Sequence, residues 1–232
     1  MNLSNRLKKI ADFVPNNSIV ADIGCDHGYI PIYLIKNNIS KKVIAVDISE
    51  NSIEKTIENV KNNNLEEDIE IRIGDGLDKI LPFEIDTVII AGMGGLLIRD
   101  ILDKDKVKTN TISNFILQPN IASKELREYL YENNFEIIDE ELVKEGDKFY
   151  EIIYAKAGKG FVTKDIYYEI GEKLIIKENP LLSEFINYKI KVVEEILLEL
   201  KDVETEKAVK RKKELNKNLI ELKEVLLEIE GN

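Results

Sequence analysis

The sequence predicts an α/β fold in which an open, mostly parallel sheet is followed by a helical C-terminal appendage. From residue 19 to 156, short apolar runs alternate with longer helix-like segments, which is typical of parallel strands joined by crossover helices. The last two runs of this region lie close together in sequence, as in an antiparallel hairpin. Beyond residue 180 the apolar residues follow only a helical period, which predicts the appendage.

Composition limits the classes of protein that this chain can belong to. With 232 residues, 44% of them hydrophobic, it can build one large core and a smaller appendage. A single cysteine excludes an internal disulfide framework, and no apolar run or leader-like segment suggests a membrane or secretion. We therefore expect a soluble, cytoplasmic protein without a membrane partner. The net charge of -11 excludes a uniformly basic surface, so a nucleic-acid partner would need a local basic patch.

Five apolar runs are predicted to form the parallel strands. The predicted strands are residues 19–24, 42–48, 69–75, 85–92 and 114–119, and the clearest helices between them are residues 49–64 and 122–134. Ser49 is expected to cap the first of these helices, because its hydroxyl can accept a hydrogen bond from a free backbone amide. The apolar face of that helix is predicted to contain Ile53, Ile57 and Val60. Helices then cover both sides of the sheet.

The end of the sheet distinguishes between two kinds of nucleotide-binding fold. Residues 135–143 and 149–157 are separated by the turn-like segment KEGDK, which predicts an antiparallel pair. Five parallel strands followed by a reversed pair resemble the Rossmann-like class I methyltransferase sheet. An NAD-binding Rossmann domain would instead repeat a second parallel half.

Glycines after the hairpin predict a domain boundary. Gly158 and Gly160 interrupt the strand pattern, so we expect a sheet domain of residues 1–157 and a helical domain of residues 158–232. Two apolar stripes in the second domain advance by alternating steps of four and three residues. The first stripe is Ile186, Ile190, Val193, Leu197 and Leu200, and the second is Leu215, Leu219, Leu222, Leu226 and Ile229. Facing stripes predict an antiparallel coiled-coil appendage within one chain, which favours a monomer.

A basic run lies in the predicted helical appendage. KAVKRKKELNK, residues 207–217, contains six basic residues and one glutamate, and it is expected near the turn between the two helices. One interpretation is an ordinary solvated helix face, and the other is a phosphate-binding tip. The candidates for phosphate contact are Lys210, Arg211, Lys212 and Lys213.

The loop after the first strand is the first candidate ligand site. It lies in the segment ADIGCDHGYIP, residues 21–31, which also contains the only histidine of the chain. In an open parallel sheet, ligands bind beyond the carboxyl ends of the strands, where strand order reverses. Gly24 allows a sharp turn close to a ligand, and Gly28 begins a helix whose free amides can receive a polar group. Alone, such glycines are equally consistent with turn residues.

Polar or small residues also end the next three predicted strands. Asp47 can accept hydrogen bonds from ribose hydroxyls, and Asp75 with the backbone of Gly76 can pair with an adenine. The fourth strand runs into AGMGG, residues 91–95, which leaves room for a substrate. Each feature has a purely structural alternative: a helix cap, a turn or close packing. Their coincidence at one sheet edge favours a cofactor that contains adenosine.

Asp26 selects between the adenosine cofactors. A carboxylate beside a pyrophosphate would be repelled, whereas S-adenosylmethionine brings an amine and a sulfonium to this loop. The predicted cofactor contacts are Gly24, Cys25, Asp26, Asp47, Ile48, Asp75, Gly76, Ala91, Gly92 and Met93. No metal site is predicted.

Five motifs occur in a characteristic order over essentially the whole chain: DIGCDHGYIP, RIGDGL, IAGMGGLLI, ILQPN and YEIIYA. Together they resemble the pattern of one family, the bacterial tRNA (adenine-22-N1)-methyltransferases. Cys25 and Gly28 stand where the family pattern has serine and alanine, and all four are small. The resemblance implies methyl transfer from S-adenosylmethionine to ring nitrogen 1 of adenosine 22 in tRNA, with the coiled coil helping to hold the tRNA. AGMGG in place of an Asn/Asp-Pro-Pro-Tyr motif agrees with a ring nitrogen as the target.

That reaction makes modest demands on catalytic residues. Ring nitrogen 1 has a lone pair and needs no strong base, so alignment and stabilisation of positive charge are the main requirements. Asp26 is the first catalytic candidate, because it can stabilise this charge, although it can equally hold the amine of the cofactor. His27 either positions the substrate or shapes the loop.

Three further residues are candidate substrate contacts. Tyr29 is expected to pack its helix, with stacking on a displaced base as the alternative. Arg6 can reach a phosphate, together with Lys8 and Lys9, or can be ordinarily solvated. Asn120 can bond the target base or shape a turn. A methyltransferase of proteins or metabolites, and a non-catalytic scaffold that binds S-adenosylmethionine, remain as alternative functions.

Overall fold

The structure is a computed structural model that describes residues 3–231. The chain divides into two compact units, the first ending at Phe161 and the second beginning at Val162. The first unit contains a seven-stranded sheet with helices on both faces, and the second unit is helical. In the stretch from residue 3 to 231, every helix is too short or too polar to cross a membrane.

The sheet has the order β3-β2-β1-β4-β5-β7-β6. Its strands are β1 (Ser18–Ile23), β2 (Ser40–Asp47), β3 (Ile69–Ile73), β4 (Thr87–Met93), β5 (Asn114–Pro119), β6 (Phe135–Glu145) and β7 (Lys148–Ala157). Strands β1 to β5 are parallel, whereas β7 runs antiparallel to both β5 and β6. The predicted α/β class, with five parallel strands and a final antiparallel pair, is confirmed.

The helices of the first unit lie on both sides of this sheet. They are α1 (Asn5–Asp12), α2 (Tyr29–Lys36), α3 (Glu50–Asn62), α4 (Gly95–Lys104), α5 (Lys106–Thr109) and α6 (Ser123–Glu132). Residues of α1, α2 and α3 pack on one face of the sheet, and residues of α4 and α6 pack on the other. The central strands are therefore buried on both faces, which is why their sequences are continuous apolar runs. Strand order reverses at β1, which places a ligand crevice there.

Helix α3 confirms its predicted cap and corrects its predicted face. The hydroxyl of Ser49 accepts a hydrogen bond from the backbone amide of Ser52 at 3.3 Å. Ile57 was expected in the buried stripe, but it is 49% exposed, and Thr56 is fully buried instead. Thr56 packs against Gly28 and donates its hydroxyl proton to the carbonyl of Ser52, so its polar atom is satisfied inside the core.

A buried ion cluster fastens the final hairpin to α6. Arg127 is 1% exposed, and its guanidinium donates to Glu140 and Glu151 at 2.7 Å each. Burial disfavours the charge of Arg127, but the two carboxylates outweigh burial and raise its pKa. Ser123 at the start of α6 also donates to Glu151, at 2.8 Å. The cluster joins α6, β6 and β7, and Glu151 directly follows Tyr150, a residue of the site described below.

The second unit contains two short helices and a long hairpin of two helices. These are α7 (Ile166–Ile170), α8 (Glu172–Ile176), α9 (Leu182–Glu199) and α10 (Glu206–Glu230). Helices α9 and α10 are antiparallel, since Lys223 pairs with Glu194 while Lys212 reaches the carbonyl of Lys201. The buried apolar residues of this pair are Leu182, Phe185, Ile186, Ile190 and Val193 on α9 and Ala208, Leu215, Leu222 and Val225 on α10. The coiled-coil assignment itself stays a prediction.

Candidate active site

A cleft of about 430 Å³ opens beyond the carboxyl end of β1. One side, called here the β1 wall, consists of Asp22, Gly24, Cys25 and Asp26. The opposite side, called the β5 wall, brings together Arg6 of α1, Gly92 of β4, Asn120 after β5 and Tyr150 of β7. With residues of α2 completing its lining, the cleft is built from six parts of the chain and lies where the topology predicts a ligand site.

The backbone of the β1 wall is held by the neighbouring strand. The amides of Gly24 and Cys25 both donate to the carbonyl of Val46, at 2.8 and 3.1 Å. Gly24 has φ +74, a backbone conformation that residues with a side chain rarely adopt, so this turn favours glycine. Asp26 also has a positive φ of 29, and its side chain is 71% exposed. The loop thus presents the Asp26 carboxylate to solvent.

Asp22 is a site residue that sequence reasoning missed. It is 3% exposed, and no donor within residues 3–231 forms a hydrogen bond with its carboxyl group. Burial, with a smaller contribution from Asp47, raises the pKa of Asp22 to about 7. A buried acid that lines a cleft without a partner is suited to a cationic ligand. The available signal was an aspartate inside the otherwise apolar run IVADIG.

Asp47 supports the β1 wall from the end of β2. Its carboxylate accepts hydrogen bonds from the backbone amides of Ser49 at 2.8 Å and Asp26 at 3.4 Å. Asp47 therefore holds both the entry to α3 and the loop after β1. This agrees with the purely structural interpretation of Asp47, in which it caps the helix that follows. The predicted contact between Asp47 and a ribose stays a prediction.

Other predicted cofactor contacts lie beside the cleft and do not line it. Asp75 is exposed, and its carboxylate pairs at 3.2 Å with Lys104, which also pairs with Asp78 at 2.8 Å. Ile48 is 70% exposed, and Gly76 has φ +55. The cleft thus contains the predicted residues Gly24, Cys25, Asp26, Ala91 and Gly92, whereas Asp47, Ile48, Asp75, Gly76 and Met93 lie outside its lining.

His27 and Tyr29 form a stacked pair at the start of α2. Their rings are 5.2 Å apart and nearly parallel, and Nε2 of His27 lies 3.4 Å from Oδ1 of Asp26. His27 is not among the residues that line the cleft, whereas Tyr29 is. The expectation that Tyr29 packs into the core is wrong, because Tyr29 is 37% exposed. As the first residue of α2, it precedes the buried positions of that helix and faces the cleft.

A hydrogen-bond network organises the β5 wall. Nη1 of Arg6 donates to Oε1 of Gln118 at 2.6 Å, and Nε2 of Gln118 donates to Oδ1 of Asn120 at 3.0 Å. Asn120 in turn donates to the carbonyl of Gly92 at 2.7 Å. The guanidinium of Arg6 also lies 5.0 Å from the ring centroid of Tyr150. Arg6 and Asn120 were predicted for the site, whereas Tyr150 was missed, because it lies on the hairpin, far away in sequence.

The basic run of the appendage begins α10, directly after the turn that follows α9. Arg211 pairs with Glu214 at 3.6 Å, and Lys212 donates to the carbonyl of Lys201 at 3.4 Å. Lys210 and Lys213 are exposed, and neither forms an ion pair within the described part of the chain. Among the four predicted phosphate contacts, these two lysines are therefore the most available to a phosphate backbone.

The two walls provide different chemistry. The β1 wall carries two carboxyl groups and a glycine turn, which suits a cationic ligand that approaches the backbone closely. The β5 wall carries a guanidinium, an amide and an aromatic ring, which suit a base or nucleotide. A cationic donor and an aromatic acceptor can therefore meet in one cleft.

Comparisons with known proteins agree with this geometry. Residues 3–153 match a family model described as a methyltransferase domain. The Bacillus subtilis tRNA (adenine(22)-N(1))-methyltransferase is 40% identical over 158 residues, which are 68% of this chain and 66% of that enzyme, slightly less than two thirds of its length. The crystal structure of the Bacillus subtilis M1A22 tRNA methyltransferase TrmK is 33% identical, with a TM-score of 0.88, over 97% of this chain and 99% of that one. A Streptococcus pneumoniae tRNA (m1A22) methyltransferase in complex with S-adenosyl-L-methionine is 30% identical, with a TM-score of 0.87, over 97% and 100%.

Proposed function

The chain belongs to the bacterial tRNA (adenine-22-N1)-methyltransferase family, and from this premise we infer that it methylates ring nitrogen 1 of adenosine 22 in tRNA. The observation that carries the inference is the similarity over 97% of the chain to a tRNA methyltransferase structure that contains S-adenosyl-L-methionine. The cleft supports it independently, because an acidic wall faces a wall with a cation and an aromatic ring.

The residues present fit S-adenosylmethionine as the cofactor. The carboxyl group of Asp22 is buried and has no hydrogen-bond partner within residues 3–231, and Gly24 supplies a left-handed turn in the loop that lines the cleft. Asp22 would hold the cationic end, Asp47 the ribose, and Asp75 with Gly76 the adenine. Asp75 would then accept hydrogen bonds both from Lys104 and from the exocyclic amine of the cofactor's adenine. When bound, the cofactor supplies an electrophilic methyl group.

The acceptor needs alignment more than it needs a base. Ring nitrogen 1 of adenine attacks through its own lone pair, so no residue has to remove a proton first. Asp26 stabilises the positive charge that develops on the purine, and His27 holds Asp26 and Tyr29 in place. Adenosine 22 must turn outward from the tRNA to enter the cleft, where Tyr29 offers a face for stacking. Arg6 and Asn120 hold the rest of the nucleotide.

The appendage contributes to tRNA binding in this proposal. Lys210, Arg211, Lys212 and Lys213 of residues 158–232 contact the phosphate backbone, while residues 1–157 carry out the transfer. Lys8 and Lys9 at the N-terminus add further phosphate contacts. The enzyme acts as a monomer, and it works in the cytoplasm, where tRNA is used.

One assay tests the reaction. Purified protein is incubated with methyl-labelled S-adenosylmethionine and an unmodified tRNA transcript, and the labelled nucleoside is identified and mapped. We expect 1-methyladenosine at position 22 and no label in a matched transcript with guanosine at that position. Label at another position, or only in protein or small molecules, contradicts the proposal.

A further inference from the structure

Gln118 is a buried polar residue at the end of β5 that the proposed function does not use. Its side chain has no solvent exposure, although it directly adjoins the cleft through Asn120. Fully buried amides are stable only when their donors and acceptors are satisfied, so the partners of this amide define its role. All of its described partners lie in or next to the β5 wall.

The hydrogen bonds of Gln118 allow only one orientation of its amide. Oε1 accepts from Nη1 of Arg6 at 2.6 Å, while Nε2 donates to Oδ1 of Asn120 and to the carbonyl of Pro119, both at 3.0 Å. Exchanging the oxygen and nitrogen would place an N–H group against the Arg6 guanidinium and an oxygen against two acceptors. The amide oxygen therefore lies toward the cation of Arg6, and the amide nitrogen lies toward two acceptors.

Each partner of Gln118 fixes a further part of the wall. The guanidinium of Arg6 lies over the ring of Tyr150, and the backbone amide of Arg6 donates to Glu145 at 2.9 Å. Asn120 donates through its side chain to Gly92 and through its backbone to Met93, at 2.7 Å each. One buried amide thus connects α1 and the hairpin on one side with the end of β4 on the other.

Arg6 depends on this connection. Its Nε atom is buried and has no hydrogen-bond partner in the described part of the chain, so Gln118 and the Tyr150 ring supply the contacts that orient the guanidinium. Hydrogen bonds to charged groups are stronger than those between neutral groups. Removing the Gln118 acceptor leaves Arg6 free to leave the wall.

We propose that Gln118 is a positioning residue for methyl transfer: its single amide holds Arg6 on one side and Asn120 on the other, and so fixes the half of the cleft that receives the target nucleotide. This inference rests on the proposed function, because it assigns the β5 wall to the tRNA nucleotide. Gln118 itself touches neither cofactor nor base. Replacing Gln118 should therefore lower kcat/KM for tRNA and leave the dissociation constant of the cofactor unchanged.

The test compares two variants on the same strand. Gln118→Met keeps the size of the side chain and removes all of its hydrogen bonds. Asn114→Leu is the matched control, because Asn114 is also buried on β5, donates to Thr87 and accepts from Tyr154, but lies at the opposite end of the strand from the cleft. Melting temperature, cofactor dissociation constant and kcat/KM for tRNA are measured for both.

We expect Gln118→Met to lower kcat/KM for tRNA by about 10- to 100-fold, with the cofactor dissociation constant changed by less than about threefold. Asn114→Leu is expected to lower the melting temperature with kcat/KM within about threefold of the wild-type value. Because Arg6 and Gln118 act as one unit, adding Arg6→Ala to Gln118→Met should cost little more than the larger single change. Gln118→Glu, which keeps only the acceptor for Arg6, should fall between wild type and Gln118→Met.

Equal effects of Gln118→Met and Asn114→Leu on kcat/KM would overturn the proposal, as would a strong loss of cofactor affinity in Gln118→Met alone. If Gln118→Met does not fold, Asn120→Asp takes its place, because Asn120 is exposed and the change replaces the donor to Gly92 by a carboxylate oxygen. Wild-type kcat/KM in Asn120→Asp then rejects the proposal. A wild-type enzyme that leaves adenosine 22 unmodified rejects the proposed function instead, so the two failures are distinguishable.

Discussion

The two walls of the cleft are built in different ways. The β1 wall is a continuous stretch of chain whose shape depends on backbone hydrogen bonds to β2 and on glycine at position 24. The β5 wall brings together residues 6, 92, 120 and 150, and side-chain hydrogen bonds through Gln118 hold them in place. The buried carboxyl group of the first wall lacks a partner within the described residues, whereas the amides of the second are engaged with each other. The unpaired carboxyl group of the β1 wall can therefore bind a cationic ligand. The hydrogen-bonded side chains of the β5 wall hold one another in place without a ligand.

The largest expected effect is a loss of stability at the buried ion cluster that fastens the final hairpin, which carries Tyr150 of the β5 wall, to α6. Arg127→Met leaves Glu140 and Glu151 buried without their cation, so we expect the free energy of unfolding to fall by about 3–5 kcal/mol. Urea denaturation measures this change. Lys124→Met is the control on the same helix, because its pair with Glu128 is half-exposed and long, at 3.9 Å, and its loss should cost under about 0.5 kcal/mol. A loss below about 1 kcal/mol for Arg127→Met would contradict the structural role of the cluster.

Asp22→Asn tests the β1 wall. The change removes a carboxylate that we assign to the cationic end of the cofactor, so the cofactor dissociation constant should rise by about 10- to 100-fold. Titration calorimetry measures this constant, and tRNA affinity should be unchanged. Asp100→Asn is the control, because Asp100 is exposed on α4 and pairs with Arg99. Cofactor affinity equal to wild type in Asp22→Asn would remove Asp22 from the site.

The pH dependence of cofactor binding sharpens the same assignment. Burial raises the pKa of Asp22 to about 7, so below that pH the group is neutral and must lose its proton to pair with a cation. Affinity should therefore rise with pH up to about 7, by at most about tenfold per pH unit, and level off above it. Comparison with Asp22→Asn cancels the titration of the cofactor itself. Parallel pH profiles for the two proteins would contradict the account.

The same pKa shift predicts a trend in stability. A carboxyl group whose pKa is raised on folding favours the folded state while it is protonated, and this contribution is lost as the pH rises from about 4 to about 7. Asp22→Asn should therefore show a smaller loss of unfolding free energy across this pH range than wild type. Denaturant titrations at several pH values measure the difference. An identical loss in both proteins would indicate that Asp22 is ordinarily solvated.

The smallest expected effect concerns the appendage. Lys210 and Lys213 form no ion pair in the described part of the chain, whereas Arg211 pairs with Glu214 and Lys212 reaches the carbonyl of Lys201. The double change Lys210→Ala with Lys213→Ala should weaken tRNA binding and lower the slope of log affinity against log salt by about 2. Arg211→Ala with Lys212→Ala is the control and should change the slope less. An unchanged slope in the first variant rejects this tRNA contact.

Local patterns predicted the strands, the hairpin and the β1 wall, because each depends on neighbouring residues. Apolar runs indicate buried strands, and Gly24 with Asp26 indicates a ligand loop. Ile57 was misplaced because periodicity alone does not show that Thr56 packs on Gly28 and satisfies its own hydroxyl. Tyr29 was misplaced because the start of α2 lies at the cleft edge, which depends on the turn before it.

The β5 wall was only partly predictable for a different physical reason. Arg6 and Asn120 were expected near the site, but their connection through Gln118 and the position of Tyr150 depend on which strands are neighbours in space. Tyr150 reaches the cleft only because β7 is inserted between β5 and β6. Likewise, the burial of Asp22 depends on the packing of the whole fold, and this burial raises the pKa of its carboxyl group.

The assignment of the cofactor to the β1 wall and of the tRNA nucleotide to the β5 wall can be tested by measuring the cofactor dissociation constants of Asp22→Asn and Gln118→Met side by side. We expect weaker binding, by about 10-fold or more, for Asp22→Asn and a value within about threefold of wild type for Gln118→Met. Equal losses in both variants, or an unchanged value for Asp22→Asn, would contradict this assignment.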